Sequence, residues 1–235
     1  MAAHQNSKIG TLATGCIPLD KILHGGLNLG QLTLIYGEGA TGKTTIALQC
    51  AINSARRGFN VLYIDTDRTF PVERFKQIAP DYKRIALLIG ILTPKDFFEQ
   101  TILIENLDAY ITERTGLIVA DSVNSLYRLE SKDADRLFMC NKELNRNLAY
   151  LASFSKRSNL PVLITSQVHS LIQNETQPQK IEPVATRALN FWSSTIIELK
   201  SNPQPNMKTA ILERRNWKDF SNVFCFVKLT SSGVV

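Results

Sequence analysis

Eight consecutive residues, Gly37-Glu38-Gly39-Ala40-Thr41-Gly42-Lys43-Thr44, constrain this 235-residue chain more than any other feature. They satisfy the pattern G-x-x-x-x-G-K-[S/T] at every specified position, between an apolar run, Leu32 to Tyr36, and a helical stretch from Lys43 to about Arg57. A buried strand that turns through glycines into a helix N-terminus lets successive backbone N–H groups converge on phosphate oxygens. The helix dipole adds positive potential, and the lysine reaches the β- and γ-phosphates of a nucleotide. Gly37, Glu38, Gly39, Ala40, Thr41, Gly42, Lys43 and Thr44 are therefore the candidate ATP-binding residues, with Thr45 as a supporting phosphate contact. The Thr44 hydroxyl is the natural ligand for Mg²⁺.

The flanking pattern fits an α/β domain. Pro18 opens a short helix to Leu23, which Gly25 and Gly26 end. Val61 to Ile64 reads as a second buried strand, Pro71 to Ile78 as a helix and Ile85 to Ile89 as a third strand. Thr93 and Pro94 suggest the cap and first turn of a long helix to about Glu113. Leu117 to Ala120 is the fourth strand, a helix runs from about Arg136 to Lys156, and Val162 to Thr165 is a further strand. Strands that alternate with helices imply a parallel sheet. After Gln167 a polar stretch, Gln173 to Glu182, precedes three strand-like runs, Thr195 to Leu199, Thr209 to Leu212 and Val223 to Leu229. Their short connections predict antiparallel edge strands.

Composition removes several classes. With 44% hydrophobic and 20% charged residues the chain reads as one ordinary globular domain over 1–235, with 1–30 as a leading segment and short helix. Its longest apolar run, Ile85 to Leu92, is too short to cross a bilayer, and Met1 to Gly10 has no signal-peptide core. Cys16, Cys50, Cys140 and Cys225 form no C-x-x-C pair, which fits reduced thiols in a cytoplasmic protein rather than zinc or disulfides. His4, His24 and His169 lack metal-ligand spacing. The net charge of +6 permits a polyanionic partner without identifying one, because the basic residues are scattered. Arg56-Arg57 and Arg214-Arg215 read as solvated pairs.

Six further positions are candidates for chemistry. Asp121 follows Leu117-Ile118-Val119-Ala120, at the C-terminal end of a strand, where open α/β sheets bind ligands; it is the Mg²⁺ partner, through water. Asp65 and Asp67 end the second strand, and either can polarise the water that attacks the γ-phosphate or simply close a turn. Gln167 follows the strand at Val162 and either senses the γ-phosphate through its amide or is a solvated loop residue. Phe191 and Trp192 either stack on a base or fill the core at the start of a strand run.

Several segments together resemble the RadA/RadB branch of the RecA-like recombinases, and the short archaeal RadB paralogues fit best. The segments are Thr14-Gly15-Cys16 with Leu19-Asp20 and Gly25-Gly26-Leu27, then Tyr63 to Phe70 with Glu73-Arg74. Asp121-Ser122-Val123, Ile164 to Val168 and Leu189 to Ser193 complete the match. The resemblance implies a RecA-like P-loop ATPase core with a mostly parallel central sheet, flanking helices and C-terminal antiparallel edge strands. It implies an ATP-dependent DNA-binding protein of recombination and repair, with Arg74 near the adenine and loops after Val123 and Gln167 facing DNA. Arg128 stands where the related recombinases carry a basic DNA contact, and Asp67 and Gln167 take the catalytic and sensing positions.

Two departures modify that expectation. The family usually has Glu where Asp67 stands and Gly where Arg68 stands, so the catalytic water is poorly held and hydrolysis should be slow. An N-terminal helix-hairpin-helix domain and the aromatic linker that joins protomers are not seen in this sequence, so filament formation alone is not expected. The chain then reads as a mediator that helps a full-length RadA-like recombinase at DNA. The alternative is a KaiC-like ATPase that acts through protein partners without DNA.

Overall fold

The strand that feeds the glycine loop lies deep inside the sheet. In the computed structural model, which describes residues 10–131, 134–170, 181–183 and 185–235, this strand, β3 (Leu32–Gly37), pairs in parallel with β7 (Val162–Ser170) and β9 (Thr195–Ser201). Outward from β7 follow β6 (Thr115–Asp121), β4 (Asn60–Asp65) and β5 (Ile89–Leu92), all parallel. Outward from β9 the direction reverses at β10 (Met207–Arg215), then β12 (Phe224–Thr230) and β13 (Gly233–Val234), each antiparallel to its neighbour. A short hairpin of β1 (Thr11–Leu12) and β2 (Leu27–Asn28) stands apart, while β8 (Ile181–Pro183) and β11 (Lys218–Asp219) pair with β7 and β10.

Alternation along the central strands sorts two cores onto the two faces. Ile35, Val61, Tyr63, Leu117, Val119 and Leu163 face one core with α1 (Ile17–Ile22), α2 (Lys43–Arg56) and α3 (Val72–Ile78). Leu32, Leu34, Leu62, Ile64, Ile118, Val162 and Ile164 face the other. That second side is covered by α5 (Phe97–Glu105), α6 (Ser125–Glu130), α7 (Ala134–Ser158) and α8 (Thr186–Trp192), with α4 (Tyr82–Ile85) lying before β5. Cys140, Leu144, Leu148 and Leu151 recur at helical spacing on α7 and are buried. The four cysteines are free thiols, and burial pushes the Cys225 thiol up to about 12. Among the described residues no helix is long and apolar enough to cross a membrane.

Four local expectations are corrected. The third strand is Ile89–Leu92, not Ile85 to Ile89, because Ile85 is buried at the end of α4 and a 3-10 turn, Ala86–Leu88, intervenes. A continuous apolar run carries no period that separates these outcomes. The helix expected from Thr93 to Glu113 is confined to Phe97–Glu105. Its cap is Asp96, which accepts from the Glu99 N–H at 2.7 Å, while the Glu99 carboxylate accepts from the Lys95 N–H at 2.7 Å. Thr195 to Leu199 is not wholly antiparallel, since β9 pairs in parallel with β3. Phe191 and Trp192 close α8 rather than opening a strand; Phe191 is exposed, and the Trp192 indole donates to Asn145 Oδ1 at 2.9 Å. The polar stretch after Gln173 lies mostly outside the described residues, as does His4.

The last strand closes back on the helix that follows the glycine loop. The buried Gln49 side chain of α2 accepts from the Val234 N–H at 2.6 Å and donates to the Val234 carbonyl at 3.0 Å. Gln49→Leu keeps the volume and leaves both backbone groups unpaired. The expected loss is about 3 kcal/mol, from a cost of 1–3 kcal/mol for each unsatisfied group, read as a lower urea midpoint at unchanged slope.

Candidate functional site

Two glycines shape the turn after β3. A Cβ on Gly37 would lie 2.2 Å from the Leu199 carbonyl oxygen of the neighbouring strand, so no side chain fits there. Gly42 is the N-cap of α2 at φ +102°, a conformation costly for other residues. No side chain caps α2, so its first-turn N–H donors are available at the pocket lined by Lys43, Thr44 and Thr45. The Lys43 ammonium is buried inside the loop, where it donates to the carbonyls of Gly37 at 2.8 Å and Glu38 at 2.6 Å. Burial holds its pKa below the ordinary lysine value, against the opposing pull of Asp121 and Glu38. Thr41 ties the loop to itself through a 2.8 Å bond to the Glu38 carbonyl. Glu38, Gly39 and Ala40 are exposed at the tip.

The pocket beside this turn has a volume of about 620 Å³. Arg74 of α3 lines it, and its guanidinium donates to the carbonyls of Thr230 at 2.6 Å and Ser231 at 2.9 Å. The far wall is Asn206, Leu229, Thr230 and Ser231, which the sequence reading did not find. Thr230-Ser231-Ser232-Gly233 is legible as a turn. Its return to α2 is a tertiary fact with no local signal.

On the other side of the turn the strand ends meet. Asp65 and Asp121 are register partners at the ends of β4 and β6, and Gly37 is the partner of Gln167 on β7. Asp121 accepts from the Tyr63 hydroxyl at 2.7 Å through Oδ2 and from the Thr165 hydroxyl through Oδ1. Burial, with the Asp121 carboxylate next in importance, pushes the Tyr63 phenol well above its usual range, so it stays a donor. Asp65 turns inward and accepts from the Phe70 N–H at 2.7 Å. Burial raises its pKa, while backbone N–H donors from Thr69, Phe70 and Arg68 oppose the shift. Asp65 therefore closes the turn, one of its two sequence readings.

Asp67 is exposed and accepts from the Ser125 hydroxyl at the start of α6. Arg68 beside it holds φ +56°, the left-handed region that favours glycine. One helical turn beyond Ser125, Arg128 donates to Gln167 Oε1. The structure thus brings Arg128 and Gln167 into contact, a pairing the sequence reading did not make. Beneath them Asn124 Nδ2 donates to Ser166 Oγ at 2.9 Å and the Val123 N–H to the Thr165 carbonyl at 3.0 Å, which fastens α6 to β7. Gln167 lies within β7, not after it, because that strand runs on to Ser170 and pairs there with β8; the loop expected to face DNA therefore begins later, and 171–180 lie outside the described residues.

The uncapped α2 turn, Lys43 and Thr44 suit a triphosphate, and the oxygen donors Thr44 and Asp121 suit Mg²⁺. A family profile described as Rad51 matches residues 5–234, nearly the whole chain. The chain belongs to the Rad51 family. Two relatives carry the name "DNA repair and recombination protein RadB". The one from Methanococcoides burtonii is 34% identical over 224 residues, covering 95% of this chain and 96% of the relative. The one from Thermococcus kodakarensis is 31% identical over 227 residues, covering 95% and 98%. A solved structure titled "Crystal structure of the RadB recombinase" superposes with a TM-score of 0.78 at 30% identity, covering 95% of this chain and 98% of that one. The Rad51-family likeness extends to the mostly parallel sheet with antiparallel edge strands. RecA-like recombinases of this kind generally bind ATP with Mg²⁺.

The Arg74 contacts generate a test. Arg74→Ala releases the carbonyls of Thr230 and Ser231, so affinity for a fluorescent ATP analogue should fall about tenfold, the equivalent of one charge-assisted hydrogen bond. Hydrogen exchange at 229–232 should rise in the same variant.

Proposed function

We propose that this chain binds ATP and Mg²⁺ at the glycine loop, hydrolyses ATP slowly, and uses the bound state to set its grip on DNA. In that role it assists a full-length RadA-like recombinase in homologous recombination and repair. The observation that carries this reading is the Arg128–Gln167 hydrogen bond, which links the strand end beside the phosphate turn to the helix expected to meet DNA. The names of the relatives support the repair context. The family match favours it over the KaiC-like alternative.

The roles follow from placement. The first turn of α2 and Lys43 bind and orient the phosphates, and Arg74 with the Thr230–Ser231 wall holds the base and sugar end. Bound Mg²⁺ would supply charge neutralisation at the β- and γ-phosphates. Thr44 offers it a hydroxyl ligand and Asp121 an acceptor for its water. Asp67 accepts a proton from the attacking water. Its carboxylate is one methylene shorter than the glutamate of the wider family and is engaged by Ser125, so turnover is slow. Gln167 exchanges its Arg128 contact for the γ-phosphate, which frees a guanidinium for a DNA phosphate. The protein works in the cytoplasm.

Matched titrations of a fluorescent ATP analogue and of labelled single- and double-stranded DNA, at low and moderate salt, test this reading. Wild type should bind the analogue and change its DNA affinity with ATP, while Lys43→Ala loses both effects. DNA affinity should fall with salt as phosphate contacts exchange with counterions. ATP binding without DNA binding at either salt would sink the DNA role and favour the protein-directed alternative. ATP-driven strand exchange by the purified chain alone would overturn the mediator role.

A further inference from the structure

The Asp121 carboxylate sits in a row of three residues that crosses three adjacent strands. Tyr63 comes from β4 on one side and Thr165 from β7 on the other. Tyr63 pairs in register with Val119, two residues before Asp121, so its ring lies along the strand face shared by both residues, the face covered by α2. Only 1% of Tyr63 is exposed, and its hydroxyl, the one polar atom of the side chain, donates to Asp121 Oδ2 at 2.7 Å. The ring is held from behind by Phe70, edge-on at a centroid distance of 5.2 Å, and Phe70 rests on Phe75 at 5.9 Å. Thr165 donates to the other carboxylate oxygen, Oδ1.

A carboxylate oxygen accepts through two lone pairs. One hydroxyl on each oxygen fixes the rotation of the carboxylate and leaves a second lone pair on each for another donor. Groups that orient a metal-site carboxylate in this way typically change metal affinity by about 10–100-fold when removed. A core tyrosine would bury as well as phenylalanine without its hydroxyl, so packing gives no reason for the oxygen at this position.

We propose that Tyr63 and Thr165 are positioning residues that aim the Asp121 carboxylate at Mg²⁺-bound water, and that the Tyr63 hydroxyl sets how much Mg²⁺ nucleotide binding requires. This rests on the reading of Asp121 as the Mg²⁺ partner. It adds two residues to the site, one of them on a strand that does not border the glycine loop.

The test is Mg²⁺-dependent binding of a fluorescent ATP analogue to the full chain, in wild type, Tyr63→Phe, Thr165→Val, Asp121→Asn and the Tyr63→Phe/Asp121→Asn double variant. Tyr63→Phe should raise the half-saturating Mg²⁺ concentration about tenfold. Its binding of the analogue in EDTA should stay within twofold of wild type, a split that a general loss of packing would not produce. In the Asp121→Asn background the same substitution should add no further shift. Should Tyr63→Phe fail to fold, Thr165→Val carries the test through the opposite oxygen, with the same expected direction. An unchanged Mg²⁺ requirement in Tyr63→Phe, or an equal shift with and without Asp121, overturns the proposal while the Asp121 reading stands. A wild-type Mg²⁺ requirement in Asp121→Asn overturns both.

Discussion

Everything at the nucleotide side depends on one close approach, that of the Gly37 backbone to the Leu199 carbonyl of the next strand. The contact leaves no room for a side chain, and it fixes where β3 stops and where the chain must turn. From that point α2 starts with an uncapped first turn, and Lys43 is drawn back into the loop to satisfy two carbonyls. Because β3, β4, β6, β7 and β9 all run in parallel, their C-terminal ends share one edge. Asp65, Asp121 and Gln167 arrive beside the phosphate turn for that reason. The parallel sheet is the device that turns distant sequence positions into one site.

The parts of this arrangement visible in the sequence were those with a local signal. The phosphate turn carries its own pattern and flanking periodicity, and Asp121 could be placed because four apolar residues precede it. Asp65 and Asp67 could not be told apart by position, since both stand at the C-terminal end of β4; only the direction of the backbone at Phe70 sends one inward and leaves the other exposed. The third strand slipped by four residues because Ile85 to Leu92 is apolar throughout and offers no period. The C-terminal wall was invisible for a different reason. Nothing near Thr230 or Ser231 announces that Arg74, about a hundred and fifty residues earlier, will fasten them over the pocket.

The short helix α6 occupies a mechanically sensitive place. Ser125 and Arg128 are three residues apart, hence neighbours on one helix surface, and they engage Asp67 and Gln167 respectively. Asn124 and Val123 anchor the start of this helix to β7. A displacement of α6 is therefore felt at once at Asp67, beyond β4, and at Gln167 on β7, whichever end it starts from. The geometry favours concerted over independent adjustment of the two side chains.

The order of the sheet also has a consequence for how the protein is made. β3 is complete in sequence by Gly37, but its two neighbours are β7, from Val162, and β9, from Thr195. A nascent chain that has emerged only as far as α7 holds the full phosphate-binding motif as sequence, with neither flank of its strand paired. The carbonyl that shapes Gly37 arrives with Leu199, and the clamp on Gln49 with Val234. Long-range pairing of this kind is slow to form. The contacts that shape the glycine turn are thus among the last that an emerging chain can make.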